Sequence, residues 1–282
     1  MRSLVFLLAV LLAGFHVNAS EHYASLDRML GDVQSSIDPD FTSIMIQHSR
    51  LAKQSGEQLT PSTVLLFSDP EINSAILQVD PLAGLDLPYR VLFYTSEQGN
   101  ETVTATRADF LKKRHQLHDE ALLNRFDQKL DDALKKLNRS QIKPLNIDRL
   151  THHYGLVVHQ SNHDFETTLK RFKDEVIGNN SDTIWFGEID YTADAEKLGI
   201  TLPRMKLLLF GAPAPGAKAM RAFKTLGLDA FCQKVLLIEQ DGVVNLYSND
   251  VVEFARLHYN DTHPSHRVIN FRLNRAYSSI VD

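Results

Sequence analysis

The sequence predicts an α+β protein made of two copies of one domain, each with helices packed on an antiparallel sheet. Three observations predict it. The segment VLLFSDPEINSAIL at 64–77 returns as part of KLLLFGAPAPGAKAM at 206–220, with Phe67 and Phe210, Pro70 and Pro213, and Leu77 and Met220 each 143 positions apart. GLDLPYRVLFY at 84–94 meets GLDAFCQKVLLI at 227–238 at the same offset, and a one-residue slip then sets VLFY against VLLI. Finally, strand-length apolar runs are mixed with helix-period stripes and a hairpin signal, which calls for helices laid on a sheet. Upstream, SRLAKQSG (49–56) matches TADAEKLG (192–199), and LDRMLGDVQSSI (26–37) matches FETTLKRFKDEV (165–176) after an indel. A period this long is a duplicated domain, not a solenoid repeat.

Residues 1–19 read as a secretory signal peptide. Arg2 precedes an apolar core from Leu4 to Phe15, and Val17 and Ala19 hold the small-residue positions before a cut. The apolar run falls short of the roughly 20 residues that span a bilayer. The mature chain is therefore expected to start near Ser20, with no membrane span, in a periplasmic or secreted setting. Lys and Arg number 30 against 35 Asp and Glu, a net charge of -5, which is no basic footprint for nucleic acid. Cys232 is the only cysteine, so no internal disulfide supports the fold.

The second copy, 151–260, gives the clearest element order. GLVVHQS (155–161) is a β-branched strand. A helix follows with Phe165, Leu169, Phe172 and Val176 on one face and Asp164 as its cap. Next come a strand TIWFGEID (183–190), a short helix ending at Gly199, and the strand KLLLF. Gly211, Pro213, Pro215 and Gly216 break the chain before a helix expected at 217–226. KVLLIEQ (234–240) and VVNLYS (243–248) flank a DG hairpin turn, and a last helix covers 251–259. The first copy, 20–107, repeats this order in divergent form. Between the copies, 108–150 carries Leu122, Phe126, Leu130, Leu134 and Leu137 as one apolar stripe, the mark of a long amphipathic helix lying across the junction. The tail, 261–282, alternates Val268, Asn270, Arg272 against Ile269, Phe271, Leu273, which reads as a strand at a sheet edge or a flexible tail.

These residues resemble a known family. The second copy, from GLVVHQSNHDFETTLKRF through EIDYTADAEKLGI, LPRMKLLLFGAPAPGAKAM and KVLLIEQDG, is similar to the domain-of-unknown-function 302 family. The resemblance covers 155–260 well and 22–115 weakly. It implies small α+β domains with a helix gripped by an antiparallel sheet, bacterial in setting, whose bare form is a dimer. The chain would then be an intramolecular pseudo-dimer, its copies facing each other as two subunits would. The resemblance brings no agreed activity, cofactor or catalytic residue. The sequence also departs from the pattern. Tyr191 follows Asp190 where the pattern has His, and Ala230-Phe231 replaces the Leu87-Pro88 of copy one. Copy one has Gln47-His48 for the Asp-His pair and Ser68-Asp69-Pro70 for Gly-x-Pro, and its first strand would fall near 18–22. Copy one is therefore expected to lack a full first strand or to borrow one.

Candidate chemistry is sparse. Glu188 and Asp190 lie two apart on a strand, hence on one face about 7 Å apart, a pair fit for acid–base work or for a cation; Asp190 equally suits a helix cap. His159 joins them if its strand is their neighbour. Gly211 and Pro213 end a buried strand at a helix start, where backbone N–H groups receive anions, or where glycine simply permits close backbone approach. The histidines form no metal-ligand spacing with cysteine or carboxylate. Cys232 lacks a partnered base and reads as a packed thiol. No catalytic residue, metal site or cofactor is assigned. The ligand candidates are His159, Glu188, Asp190, Tyr191, Gly211 and Pro213. The leading expectation is a non-catalytic exported protein binding a small molecule or envelope protein across its pseudo-dimer. The alternatives are a hydrolase-like enzyme using Glu188 and Asp190, or a structural envelope component.

Overall fold

The computed structural model describes residues 19–282; the signal-peptide reading falls almost wholly on residues 1–18, outside them. In copy one, α1 (Ala19–Gln34), β1 (Thr42–Ile46), α2 (His48–Gln54), β2 (Ser62–Ser68) and α3 (Pro70–Val79) lead through a 3-10 turn at Pro81–Leu85 to β3 (Tyr89–Thr95), β4 (Glu101–Ala105), α4 (Ala108–His115) and α5 (Glu120–Leu134). Copy two opens with β5 (Leu156–Ser161) and then repeats the order: α6 (Phe165–Phe172), β6 (Ile184–Asp190), α7 (Tyr191–Lys197), β7 (Arg204–Gly211), α8 (Pro213–Met220), α9 (Leu226–Asp229), β8 (Gln233–Gln240), β9 (Val243–Asn249), α10 (Val251–Tyr259) and α11 (Pro264–Val281). The molecule is α+β, and the duplication read from the sequence is present in its structure.

Both sheets are antiparallel, in the orders β1-β2-β3-β4 and β5-β9-β8-β7-β6. Their ladders agree in register: Leu65 stands opposite Val91 and Leu208 opposite Val235, which carries the one-residue slip into the strand pairing. Copy two's sheet is apolar on both faces. Leu208, Phe210, Val235 and Leu237 pack with Phe165, Phe172 and Tyr277, while Leu207, Leu209, Leu236 and Ile238 join a larger core that runs into copy one. Burial on both faces explains the continuous apolar runs in place of a strict alternation. The copies meet reciprocally: α2 packs on α8 and α3 on α7, each helix meeting the neighbour of its own counterpart. That exchange is the mark of a two-fold interface, and the chain is a pseudo-dimer.

One expectation, the incomplete first strand of copy one, is met, and three change. Residues 19–34 are helix, so among the described residues copy one's sheet has no counterpart of β5. Beside β4, a parallel bridge joins Val103 to Ile142, reinforced by the Lys143 N–H donating to the Val103 carbonyl at 2.8 Å. The amphipathic stretch is two helices, separated where Gln116 turns left-handed (φ 51°) and Asp119 caps α5. Its stripe packs against α1, α3 and α4 of its own copy; periodicity gives a buried face but not what that face meets. Pro213 starts α8, four residues before the expected helix, because its fixed φ and missing N–H suit the first helical position. The tail is no strand: His266, Ile269, Tyr277 and Ile280 are buried at helical spacing along α11, which packs on α6, α8 and α10.

Candidate functional site at the junction of the two copies

The junction is built from pairs of equivalent residues. His48 Nε2 donates to the Gly227 carbonyl at 3.0 Å, and Tyr191 Oη donates to the Gly84 carbonyl at 3.0 Å. His48 and Tyr191 are counterparts, as are Gly84 and Gly227, so each copy reaches across to the same backbone oxygen of the other. Both glycines are needed for close approach. A Cβ on Gly84 would lie 3.0 Å from Leu236 and 3.2 Å from Tyr191; one on Gly227 would lie 3.1 Å from Leu92 and 3.3 Å from His48. Burial lowers the His48 pKa to about 4, with the Gly227 bond opposing the shift. Tyr191 is thus a buried tie between the copies, its hydroxyl pushed far up by burial.

Beside these ties lies a buried charge cluster that motif reading missed. Asp86 accepts from Arg114 at 2.6 Å, His115 at 2.8 Å and Arg90 at 3.4 Å. Its counterpart Asp229 accepts from His258 at 2.8 Å and lies 2.9 Å from Arg90, close enough for an ion pair. His115 and His258 are themselves counterparts, 143 apart. Burial would raise the Asp86 carboxyl, but Arg114, His115 and Arg90 together hold it well below the usual range. Burial would lower His115, yet its bonds to Asp80 and Asp86 raise it. Lys234, the counterpart of Arg90, has no hydrogen-bond partner for its ammonium, and burial with the nearby Arg90 pushes its pKa down to about 7. The guanidinium and carboxylate groups of Arg90, Asp86 and Asp229 are fully enclosed, so the cluster fixes how the copies dock rather than meeting solvent. The signal that reveals it is the repeat itself: two Asp and two His at the repeat offset.

The candidate residues separate. His159 sits on β5 and Glu188 and Asp190 on β6, the two opposite edges of the five-stranded sheet, so they are not neighbours. At about 4.8 Å per strand the gap is roughly 19 Å. His159 instead bonds Asn274 at 3.2 Å and lies edge-on to Tyr277. Glu188 and Asp190 do share a face, with Lys206 3.4 Å from Glu188 and 2.8 Å from Asp190 and Lys173 2.8 Å from Glu188. Partial burial would raise both carboxyls, but these lysines keep them below their usual values. Asp190 also caps α7 through the Ala193 N–H at 3.0 Å. Two ion-paired carboxylates leave neither as a ready proton donor. Burial raises the Cys232 thiol to about 12, so it stays protonated and packed.

Gly211 and Pro213 line a junction cleft of about 30 Å³ with His48, Leu51, Met220 and Cys232. A second cleft, of about 90 Å³, opens on the other side of Ala212 and Gly216, between α11 and the end of β7. Among the described residues no cluster of three or more His, Cys, Asp or Glu could hold a metal ion, and no helix is long and apolar enough to cross a membrane.

Taken together, a duplicated α+β domain with reciprocal ties defines the class. The pattern of the family described as "Domain of unknown function DUF302" matches residues 23–137 and 157–279, and the chain belongs to that family, carrying it in tandem. Over 106 residues the chain is 32% identical to the fluoride-specific ion channel FluC 1 of Brucella suis biovar 1 (strain 1330), covering 37% of this chain and 40% of that protein. The same length and identity relate it to FluC 1 of Brucella abortus biovar 1 (strain 9-941), covering 38% of that protein. The chain thus spans about two fifths of the length of these curated relatives. The crystal structure of an uncharacterized conserved DUF302 protein from Bacillus stearothermophilus superposes with a TM-score of 0.38 at 12% identity, covering 45% of this chain and 96% of that one.

Proposed function

We propose that this chain is an exported, non-catalytic binding protein that holds a small molecule or an envelope protein beside the junction of its two copies. The observation that carries this reading is the contrast between locked charges and open apolar clefts. Glu188 and Asp190 are ion-paired to Lys206 and Lys173, and Asp86 and Asp229 are enclosed with Arg90. The segment around Gly211 and Pro213, by contrast, is bordered by two clefts, one lined from both copies. Gly211 and Pro213 therefore keep their candidacy as ligand contacts. On this reading Tyr191 ties the copies, while Glu188 and Asp190 form a part-exposed charged patch open to a protein partner. Each binding unit includes its two closing helices, α4 and α5 in copy one, α10 and α11 in copy two. Export rests on the Arg2-led apolar run and the small residues before Ser20.

The test is the native mass of the mature protein purified from its own cell envelope, set against its denatured mass. A discrete excess in the native mass, with an N-terminus near Ser20, is expected. Equal masses and no partner on gentle cross-linking would sink the reading and leave a structural envelope component. A phenotype lost in Glu188→Gln with Asp190→Asn, at unchanged protein level, would favour the enzyme instead.

A further inference from the structure

The two copies differ at one place where strand register makes their residues directly comparable. On β2 and β3, Phe67 stands opposite Tyr89; on β7 and β8, its counterpart Phe210 stands opposite Gln233. In copy one the Tyr89 ring fills the space between sheet and helix. It stacks on Phe67 at 4.9 Å and on Phe126 of α5 at 4.3 Å, and its hydroxyl donates to the Phe126 carbonyl at 3.1 Å. In copy two the register position of that ring is held by Gln233, and Phe210 meets Phe172 edge-to-face at 5.3 Å instead. The Gln233 amide turns back to donate to the Ala230 carbonyl at 2.5 Å. What remains is the cleft of about 90 Å³, walled by Phe210, Phe231, Ile269 and Leu273, with Gln233 within it and Arg272 at its edge.

Resting on the binding reading above, we propose that this cleft takes a flat, single-ring aromatic molecule bearing one small polar group, of the size and shape of phenol. The ligand would stand where copy one places its own tyrosine ring. Apolar surface left facing water in a cleft is stabilised by whatever covers it, and the same backbone frame in copy one shows which group covers it there. Phe210, the counterpart of Phe67, lines the cleft, as does Ile269, the counterpart of Phe126. Enclosed apolar cavities of about 150 Å³ take up benzene; this cleft of about 90 Å³ is open rather than enclosed, and Arg272 on its lining is part-exposed in an ion pair to Asp182 at 3.1 Å. The Gln233 amide N–H is engaged by Ala230, which leaves its amide oxygen to accept from the ligand's polar group.

The experiment titrates the full mature protein with phenol, followed by calorimetry and by the thermal midpoint, for the wild type and for Gln233→Tyr. Saturable binding and a raised midpoint are expected for the wild type. Gln233→Tyr is expected to weaken binding at least tenfold while melting higher than the wild type without ligand, because it restores the missing ring. Should that variant not fold, Ala276→Leu fills the same cleft from α11 and is expected to weaken binding likewise. Unchanged phenol binding in a folded cleft-filling variant, or no saturable binding by the wild type, would overturn the proposal. So would a natural ligand retained in the native mass that phenol fails to displace; that outcome leaves ligand binding itself intact.

Discussion

His48 and Tyr191 do the same structural work with different chemistry, and the difference has a pH consequence. Both donate to a carbonyl of the opposite copy, but only the imidazole titrates near neutrality. Burial lowers the His48 pKa to about 4 from 6.5. Because the folded value lies below the unfolded one, the contribution is complete above pH 6.5 and is lost as pH falls toward 4. Its size is on the order of 3 kcal/mol. His48→Gln keeps a neutral donor, so its stability is expected to fall less between pH 6.5 and 4; urea midpoints at pH 7.5 and 4.5 measure this. A wild-type acid limb unchanged by the substitution would contradict it. Asp86 makes a stronger claim. Asp86→Ala strips the carboxylate from Arg114, which keeps only its neutral acceptors Asn249 and Tyr154, and removes one of two carboxylates from Arg90 and from His115; a buried pair broken from one side costs about 3–5 kcal/mol. Denaturant unfolding checks it, and a loss below about 1 kcal/mol would show that the cluster is solvated. In the sequence these residues were visible only as repeats. Asp86 and Asp229 stand in matched segments of the repeat, yet nothing in a GLD triplet says that it lies at an axis.

At the scale of elements, α9 comes so close to β3 and α2 that Gly227 has no room for a methyl group. Met220 lies 2.7 Å from the place a Cβ would occupy, with Leu92 and His48 just beyond. Gly227→Ala is expected to cost about 1–3 kcal/mol by overpacking, read as a lower urea midpoint with an unchanged slope. A neutral result would mean that the Met220 side chain swings clear. Elements with full local signals are legible: Asp164 caps α6, its carboxylate accepting from the Thr167 N–H at 2.7 Å; the DG turn joins β8 to β9 with both residues at positive φ. Elements whose signal was ambiguous were not. Six alternating residues in the tail mimic a strand, but the buried set His266, Ile269, Tyr277 and Ile280 extends over more than three helical turns, and the longer pattern decides. The stripe from Leu122 to Leu137 is helical as far as Leu134, and only packing says that it folds back onto its own copy.

The whole molecule should unfold as one unit, because the larger core runs without interruption from Leu65 and Phe93 to Leu207 and Leu236. The chain has a single tryptophan, Trp185, and it lies in copy two. Its fluorescence reports that copy, while far-ultraviolet circular dichroism reports both. The two urea transitions are expected to coincide; a dichroism phase separate from the tryptophan phase would show that the copies are independent. What the sequence determined by itself is the duplication, the α+β class and most strand and helix positions, since each rests on a local period, a cap or a turn that needs no partner. What only the tertiary structure decided is which residues meet. It set His159 and the Glu188–Asp190 pair at opposite sheet edges, joined His48 to Gly227 and Tyr191 to Gly84, enclosed Asp86 with Arg90 and Arg114, and left a cleft beside Gln233. Those contacts depend on strand order and on the docking of one copy against the other, and a chain's local pattern carries neither.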